Sequence, residues 1–345
     1  MAERTGRSRI HARRRTVAAA AGACALVLVA VAGPPGGGAA ARSGTGGTAT
    51  APPRVRPVST GSTSSGPHGT YVLSGQKGCD TSYPSLNPAG GTTDGPAVER
   101  IRRRGFLTVG VDQNSYLWGF RNPGSGQLAG FDVDIVRAIA KDLLGDPDKV
   151  RYVALATNDR EQAIKDHTVD MVVRTTTIDC DRIKDMAFSV PYFEAGQQVL
   201  ALKTSPVTGF DSSLKGRTVC VARSSTGEEL LTQHPQGEKI LRVANQLDCL
   251  VRIQLGLADA VITDDALAAG QAAQDPAVHL VGGRLTDEMY GVAMNLDAPD
   301  LVRRVNQVLA AYVAGGARSA WTRSYDTWLA PHLTEPEEPP KQTYR

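Results

Sequence analysis

A short buried strand followed by a polar loop, at residues 170–193 (DMVVRTTTIDCDRIKDMAFSVPYF), constrains the fold of this chain most. The apolar run Met171-Val172-Val173 is typical of a parallel strand covered on both faces, and parallel sheets present ligands beyond the carboxyl ends of their strands. The following loop, Arg174 to Arg182, offers hydroxyls, backbone N–H groups and guanidinium forks. Because a guanidinium pairs with a planar carboxylate in a way that an ammonium does not, we expect an anion site in this loop.

Strands and helices alternate along the middle of the chain in two successive series. In the first, the predicted strands are 106–111, 150–155, 169–173 and 199–203, and the helices are 96–104, 131–144 and 160–166. In the second, the strands are 218–222, 240–243 and 260–263, and the helices are 226–233 and 246–255. A strand at 291–295 and helices at 298–314 and 317–329 return to the first half. This order predicts an α/β protein of two lobes joined by two crossing strands, which make a hinge.

The two ends of the chain differ from the middle in composition. Six arginines followed by an apolar run from about Thr16 to Gly33 are typical of an export signal, although the run approaches the length of a retained membrane anchor. A stretch rich in Gly, Ser, Thr and Pro follows, which predicts a flexible linker. We therefore divide the chain into 1–41, signal or anchor; 42–75, linker; 76–203 plus 288–330, lobe 1; 204–287, lobe 2; and 331–345, a disordered tail.

The formal charge of +3 does not describe the exported part of the chain. Residues 1–41 hold six arginines and one glutamate, a charge of +5, which leaves −2 for the rest. Binding to nucleic acid requires a lasting cationic face, so nucleic acid is not expected as a partner.

Four cysteines follow the export signal: Cys79, Cys180, Cys220 and Cys249. An even number in an oxidising compartment favours disulfides over metal or catalytic thiols. Of the three possible connectivities we prefer Cys220–Cys249, inside one predicted lobe, with Cys79–Cys180, which would clip the leader onto the sheet. Four buried free thiols are the alternative.

Signatures of catalysis are absent from the sequence. The six histidines are scattered without metal-ligand spacing, and no H-E-x-x-H helix, G-x-S-x-G elbow, P-loop or dinucleotide fingerprint occurs. We therefore expect no metal, no cofactor and no enzymatic activity.

Several motifs occur in a specific order: VGVDQNSYLWGF, GFDVDIVRAIAKDL, TTTIDCDR, FSVPYFEAGQQVL, LKGRTVCVARSSTGEELL and ADAVITDD. In this order they resemble the family 3 solute-binding proteins of ABC transporters, over roughly residues 95–330, and most of all the glutamate/glutamine-type receptors of actinobacteria. The resemblance implies the type II periplasmic-binding fold, an amino-acid ligand and an ABC permease in the membrane as partner. It also implies an exported protein at the cell surface, which we expect to be a monomer.

The resemblance also implies which residues touch the ligand. Thr177 and Arg182 match the pair that holds the α-carboxylate, and Thr175 matches a backbone contact. Asp264 matches the acid that pairs with the α-ammonium. The other implied contacts are Asp112, Ser115 and Trp118 in the loop after the first strand, the basic residues Arg174 and Arg223, and Ser225, Thr226 and Gly227 at a helix start, where free N–H groups attract anions.

The two additional basic groups, Arg174 and Arg223, suggest a ligand with an acidic or amide side chain, because a desolvated carboxylate must be matched by a cation. We expect glutamate or aspartate ahead of glutamine or asparagine. Two other functions stay open: a sensor that signals to a membrane kinase or other membrane-bound partner, and a dehydratase on the same fold.

Five of the assigned residues have a simpler alternative. Arg182 would then only pair with a neighbouring aspartate, and Asp264 would cap a helix. Arg174 would be structural, Asp112 would cap its own loop, and Trp118 would belong to the core.

Overall fold

The computed structural model describes residues 71–80, 82–334 and 337–345. The predicted signal or anchor, and the linker as far as residue 70, lie outside the described residues. Within the described part, no helix is both long and apolar enough to cross a membrane.

Eight α-helices form in the described part of the chain. They are α1 (Pro96–Arg104), α2 (Phe131–Leu144), α3 (Arg160–Lys165), α4 (Thr226–Gln233), α5 (Gln246–Gln254), α6 (Asp265–Gln274), α7 (Pro299–Val313) and α8 (Ala320–Trp328). Capping residues in the sequence set the ends of these helices. Helix α1 begins with proline in its first turn, and α2 ends at Gly145, whose φ of 74° suits a residue without a side chain. The periodicity missed α6, which lies beyond the last predicted strand of lobe 2.

The strands of residues 71–80, 82–334 and 337–345 belong to two five-stranded sheets and two small ones. They are β1 (Leu107–Val111), β2 (Asn114–Ser115), β3 (Gly119–Arg121), β4 (Leu128–Ala129), β5 (Val150–Ala154), β6 (Met171–Val172), β7 (Ala187–Phe188), β8 (Phe193–Ala195), β9 (Gln197–Leu202), β10 (Thr218–Ala222), β11 (Lys239–Val243), β12 (Ala260–Asp264), β13 (Val278–Val281), β14 (Glu288–Tyr290) and β15 (Ala293–Met294). The chain thus has the two-lobed α/β fold that the sequence predicts.

The sheet of lobe 1 has the strand order β5-β1-β6-β15-β7. Its first three strands are parallel, and β15 returns from the far end of the chain to pair antiparallel with β6. A core of aliphatic and aromatic side chains from α1, α2, α7 and α8 covers it. Because β1 and β6 are parallel neighbours, the loops that follow them open at the same edge.

The sheet of lobe 2 has the order β11-β10-β12-β9-β13. The lobe boundary predicted at residue 203 is therefore wrong, since β9 pairs antiparallel with β12 and β13 and belongs to lobe 2. Sequence alone suggested lobe 1 for this strand because it directly follows the motifs of that lobe. The crossing between the lobes lies earlier, before residue 197.

Two short strands, β8 and β14, cross between the lobes as the sequence predicts. They pair antiparallel, with Phe193 opposite Tyr290 and Ala195 opposite Glu288. Thr177 forms a further bridge to Tyr290, so the polar loop of lobe 1 lies directly against the hinge. Residues of the hinge can therefore contact both lobes.

The structure joins Cys79 to Cys180 and Cys220 to Cys249, which is the pairing we prefer from the sequence. The second bridge ties β10 to α5 inside lobe 2. The first anchors the N-terminal segment to the polar loop of lobe 1.

The part of the predicted linker that the structure describes is ordered, contrary to the expectation from its composition. Leu73 is fully buried in the core of lobe 2, and Gly75 donates its N–H to Glu229 of α4 at 2.9 Å. The segment then reaches lobe 1 through Cys79. We call residues 71–79 the strap, because they contact both lobes.

The tail predicted to be disordered is also placed against the protein. Tyr344 forms a parallel bridge with Ser85, and Arg345 donates its N–H to the Ser85 carbonyl at 2.8 Å. Glu337 pairs with Arg284 of lobe 2 at 2.7 Å. The prediction was wrong because composition does not show that distant backbone groups and a cation are available as partners.

Candidate ligand-binding cleft

The predicted anion loop of lobe 1 faces the start of α4 in lobe 2. Arg182 Nη1 donates to the Thr177 carbonyl at 2.8 Å, and Nε lies 3.1 Å from Asp179 Oδ2. Its Nη2 donates across the cleft to the Ser224 carbonyl at 3.2 Å. Arg182 therefore pairs with a neighbouring aspartate and also reaches the opposite lobe.

The backbone of this loop is held in an uncommon conformation. Thr175 has a φ of 42°, which is costly for a β-branched residue and is found where surrounding contacts enforce it. Its N–H donates at 3.0 Å to Asp132 of α2, which also accepts the Tyr192 hydroxyl at 2.8 Å. Burial raises the pKa of Asp132 to about 7. Opposite the loop, Ser224 has a φ of 58°, so the backbone of both facing loops is strained.

Arg174 and Asp112 form a buried ion pair at 2.9 Å, with side chains 1% and 6% exposed. Asp112 also accepts the Asn114 N–H and the Ser115 hydroxyl, both at 2.9 Å, so it organises its own loop. Arg174 Nη2 further donates to Asn245 of lobe 2 at 3.1 Å, whereas its buried Nη1 has no hydrogen-bond partner among the residues that the structure describes. Arg174 is therefore a structural partner of a buried acid, and Asp112 caps its own loop, as the simpler alternatives had it. The Nη1 group of Arg174 remains available to donate a hydrogen bond to a ligand.

Arg160 is a candidate site residue that the sequence patterns did not indicate. It begins α3, after β5, and it is only 6% exposed. Its Nε donates to the Thr157 carbonyl at 2.8 Å and its Nη1 to the Thr176 hydroxyl at 3.3 Å, but it forms no ion pair with any described residue. Burial lowers its pKa well below the usual range, and the charges of Arg182 and Arg174 add to this effect. The signal that was available is its position at the start of the helix that follows the carboxyl end of the parallel strand β5.

On the lobe 2 side, the start of α4 has the predicted form. Ser225 is the N-cap, and its hydroxyl accepts the Glu228 N–H at 3.2 Å. Thr226 is buried, and a side chain on Gly227 would collide with Gln197. Arg223 does not join this cluster: its side chain is exposed and forms no hydrogen bond or ion pair with the described residues. The contact of Arg223 with a ligand stays a prediction.

Asp264 lies at the end of β12, 5% exposed, and its side chain makes no capping hydrogen bond to α6. Gln197 Nε2 donates to it and, at 3.1 Å, to Glu288 of the hinge. Glu288 is fully buried and also accepts the hydroxyls of Thr177 and Thr226, both at 2.7 Å. Glu288 is the second residue that the sequence analysis missed, because its position next to both lobes exists only after the hinge has formed.

Trp118 is fully buried in an aromatic cluster, in edge-on contact with Phe193 and Tyr290 of the two hinge strands. Its indole N–H donates to the Ala266 carbonyl of lobe 2 at 3.2 Å. Trp118 therefore belongs to the core, as one alternative had it, and at the same time it connects lobe 1 to lobe 2.

The cleft contains separate positive and negative groups. A chain of hydrogen bonds connects Arg182 to Asp264: Arg182 donates to the Thr177 carbonyl, the Thr177 hydroxyl donates to Glu288, and Gln197 donates to both Glu288 and Asp264. The two residues therefore lie in one region and not on opposite outer faces. An open space of about 330 Å³ at the cleft edge is lined from both lobes, by Arg182 and by Ser224 among others. Within the described residues, no group of His, Cys, Asp and Glu side chains is arranged to hold a metal ion.

This arrangement, two lobes with complementary charges on facing loops, agrees with the comparison with known protein families. The family model described as bacterial extracellular solute-binding proteins, family 3, matches residues 107–330. The chain belongs to this family. The match begins at β1, so the strap lies before it.

Curated relatives include members that differ in their ligand. The ABC transporter glutamine-binding protein GlnH of Bacillus subtilis is 31% identical over 229 residues, 66% of this chain and 83% of the relative. The L-glutamate/L-aspartate-binding protein of Pseudomonas aeruginosa is 28% identical over 67% of this chain and 79% of the relative. These family 3 relatives are amino-acid-binding proteins.

Solved structures have the same two-lobed fold. The receptor for L-cysteine of Neisseria gonorrhoeae superposes with a TM-score of 0.66 at 26% identity, over 71% of this chain and 99% of the receptor. An ancestral arginine-binding protein bound to glutamine gives a TM-score of 0.60 at 31% identity, over 65% of this chain and 98% of that protein. The family 3 fold is thus shared by proteins with different amino-acid ligands.

Proposed function

We propose that this protein captures an acidic amino acid, glutamate or aspartate ahead of glutamine or asparagine, and delivers it to an ABC permease. The names of its relatives cover both acidic and amide ligands, so the choice between them depends on the charges in the cleft of this chain.

Two oppositely charged groups of the cleft suit the α-carboxylate and the α-ammonium that all amino acids share. Arg182 stands beside strained loop backbone in lobe 1 and provides a fork for the α-carboxylate. Asp264, buried at the end of β12, provides the counter-charge for the α-ammonium. Since Glu288 accepts the Thr177 hydroxyl in this structure, the hydroxyl must turn away from Glu288 if it is to donate to the ligand.

The observation that carries the proposal is the unpaired charge of Arg160. A buried cation without a counter-ion is costly, and neither Asp264 nor Asp179, the two acids that act on it most, forms an ion pair with it in the part of the chain that the structure describes. The unused Nη1 of Arg174 adds a second buried donor. A side-chain carboxylate on the ligand would satisfy both groups, whereas an amide would leave the charge of Arg160 uncompensated.

We further propose that the protein is exported, acts as a monomer and performs no chemical step on its ligand. Both poles of the site come from one chain, so a single copy is sufficient for binding. In a strain that lacks the gene, loss of glutamate or aspartate uptake supports delivery to a permease. Unchanged uptake with a lost signalling response would favour the sensor alternative.

The direct test is a thermal-shift screen of the purified protein with the common amino acids, followed by calorimetry, because a ligand that binds only the native state raises the melting temperature. We expect glutamate and aspartate to give the largest shifts and the tightest binding. Stronger binding of glutamine, or of a basic amino acid, would contradict the proposed acidic preference.

A further inference from the structure

Two carboxyl groups share one neutral partner in the interior of the cleft. Gln197 Nε2 donates to Oδ1 of Asp264 and to Oε1 of Glu288, whose side chains are 5% and 0% exposed. No arginine or lysine of the described residues forms an ion pair with either group. Two buried like charges at such short range are costly unless a cation or a proton neutralises one of them.

The hydrogen bonds show which of the two carboxyl groups is better prepared to be ionised. Glu288 accepts four donors: the hydroxyls of Thr177, Thr226 and Thr286 at 2.7–2.8 Å, and Gln197. Four donors are the full accepting capacity of a carboxylate. Among the described residues, Asp264 accepts only the shared amide of Gln197, and the buried Tyr290 hydroxyl makes no hydrogen bond. Glu288 is therefore the group that is built to carry the negative charge.

The surroundings do not reverse this assignment. The charged or titratable side chains that act on the pair come from four elements: Tyr290 of β14, Asp265 of α6, Arg160 of α3, and Tyr83 in the segment before α1. Burial is the main cause that raises the pKa of Asp264 well above its usual range, and the charge of Glu288 adds to it, while Arg160 opposes it without direct contact. Burial also raises the pKa of Glu288, although its hydroxyl donors lower it.

We propose that the empty cleft holds a proton on the Asp264–Glu288 pair, mainly on Asp264, and that the ammonium group of an arriving amino acid displaces this proton into solvent. The inference rests on the proposed function and extends it, since it adds Glu288 to the ammonium-binding pole: the Thr177 hydroxyl that turns to the ligand frees one acceptor position of Glu288 for the ammonium group. The exchange is balanced in charge: one proton leaves, and one ammonium takes its place between the carboxylates. Binding should therefore weaken as the pH falls, because the proton and the ammonium compete for the same position.

The test is calorimetric titration of the full-length protein with glutamate near pH 7, in buffers that differ in ionisation enthalpy. The dependence of the measured heat on buffer gives the number of protons exchanged. We expect the release of about one proton per ligand. An infrared difference spectrum provides a second readout without any variant, since the band of a protonated carboxyl group should disappear on binding.

Glu288→Gln is the diagnostic variant, because loss of the second negative charge removes one of the two causes that hold the proton on Asp264, while burial remains. The midpoint of the pH dependence of binding should therefore move to lower pH, and fewer protons should be released at pH 7, whereas Glu99→Gln, at an exposed position of α1, should behave as the natural protein does. Binding without proton release in the natural protein, between pH 5 and 8, overturns the proposal but leaves the proposed function intact. Absence of any amino-acid binding overturns both.

Discussion

Arg174 and Asp112 are joined across 2.9 Å in the interior of the cleft, and each is more than nine-tenths buried. Removal of one partner of a buried ion pair leaves an uncompensated charge, which typically costs about 3–5 kcal/mol, whereas replacement of both partners by apolar residues is often neutral. The pair therefore makes a specific prediction about stability.

We expect Asp112→Ala to lower the free energy of unfolding by about 3–5 kcal/mol, because it strands Arg174 and also removes the acceptor of the Asn114 and Ser115 hydrogen bonds. The double variant with Arg174→Met should recover part of this loss. Denaturant titrations of the two variants check this, and equal losses in both would show that the ion pair is not the cause.

Arg182→Ala should weaken amino-acid binding by about 2–5 kcal/mol, since it removes the fork that we assign to the α-carboxylate. That corresponds to a loss of affinity of more than about tenfold by calorimetry. Arg100→Ala is the matched control, because this arginine is exposed on α1 and belongs to no predicted ligand contact. An unchanged affinity of Arg182→Ala would refute the assignment.

Arg160→Gln should narrow the preference for glutamate over glutamine by about tenfold or more, because it removes the unpaired positive charge but keeps a hydrogen-bond donor. The empty protein should not lose thermal stability, since a buried unpaired charge is itself destabilising. Arg160→Lys, which keeps the charge, should preserve the acidic preference. Competition titrations with both ligands decide between these outcomes.

Asp132 should make folding stability depend on pH. Its pKa is raised to about 7 in the folded protein, from 3.8 when solvated, so the unfolded chain gives up this proton first as the pH rises. The contribution of Asp132 to the free energy of unfolding is fully present below about pH 4, decreases as the pH rises towards 7, and is lost above pH 7. The total loss amounts to up to about 4 kcal/mol. Denaturant titrations of the natural protein and Asp132→Asn should differ with this profile, and parallel curves would contradict it.

The Cys79–Cys180 bridge anchors the strap, which also binds lobe 2 through Leu73 and Gly75. Replacement of both cysteines by serine should lower the unfolding free energy by up to about 4–5 kcal/mol, since the bridge closes a loop of 101 residues. It should also speed ligand dissociation, because a connection between the lobes is released.

The control for the strap is the same replacement at Cys220 and Cys249, which lie within lobe 2. That variant should lose stability without a comparable change in dissociation rate, as measured by stopped-flow displacement of ligand. Equal dissociation rates in the two variants would show that the strap does not restrain the opening of the cleft.

Much of the fold was predictable because its signals are local. The bounds of α1, α2, α4 and β10 agree with the periodicity and with the capping residues, since each segment has its own apolar face and its own start and end signals. The assignment of β9 to the wrong lobe has the opposite cause. Strand partners are chosen by contacts between segments far apart in the chain, and a strand's own sequence does not name them.

The sequence by itself determined the two α/β lobes, the order of their elements and the polar loop with Arg182, because these depend on short-range periodicity and on residue chemistry. Only the tertiary structure decided that Arg174 forms an ion pair with Asp112 and that the side chain of Arg223 is exposed. It also decided that Arg160 and Glu288 are buried at the cleft. The physical reason is that the availability of a charged group depends on its burial and on its partners, and both are set by segments that the fold brings together from distant parts of the chain.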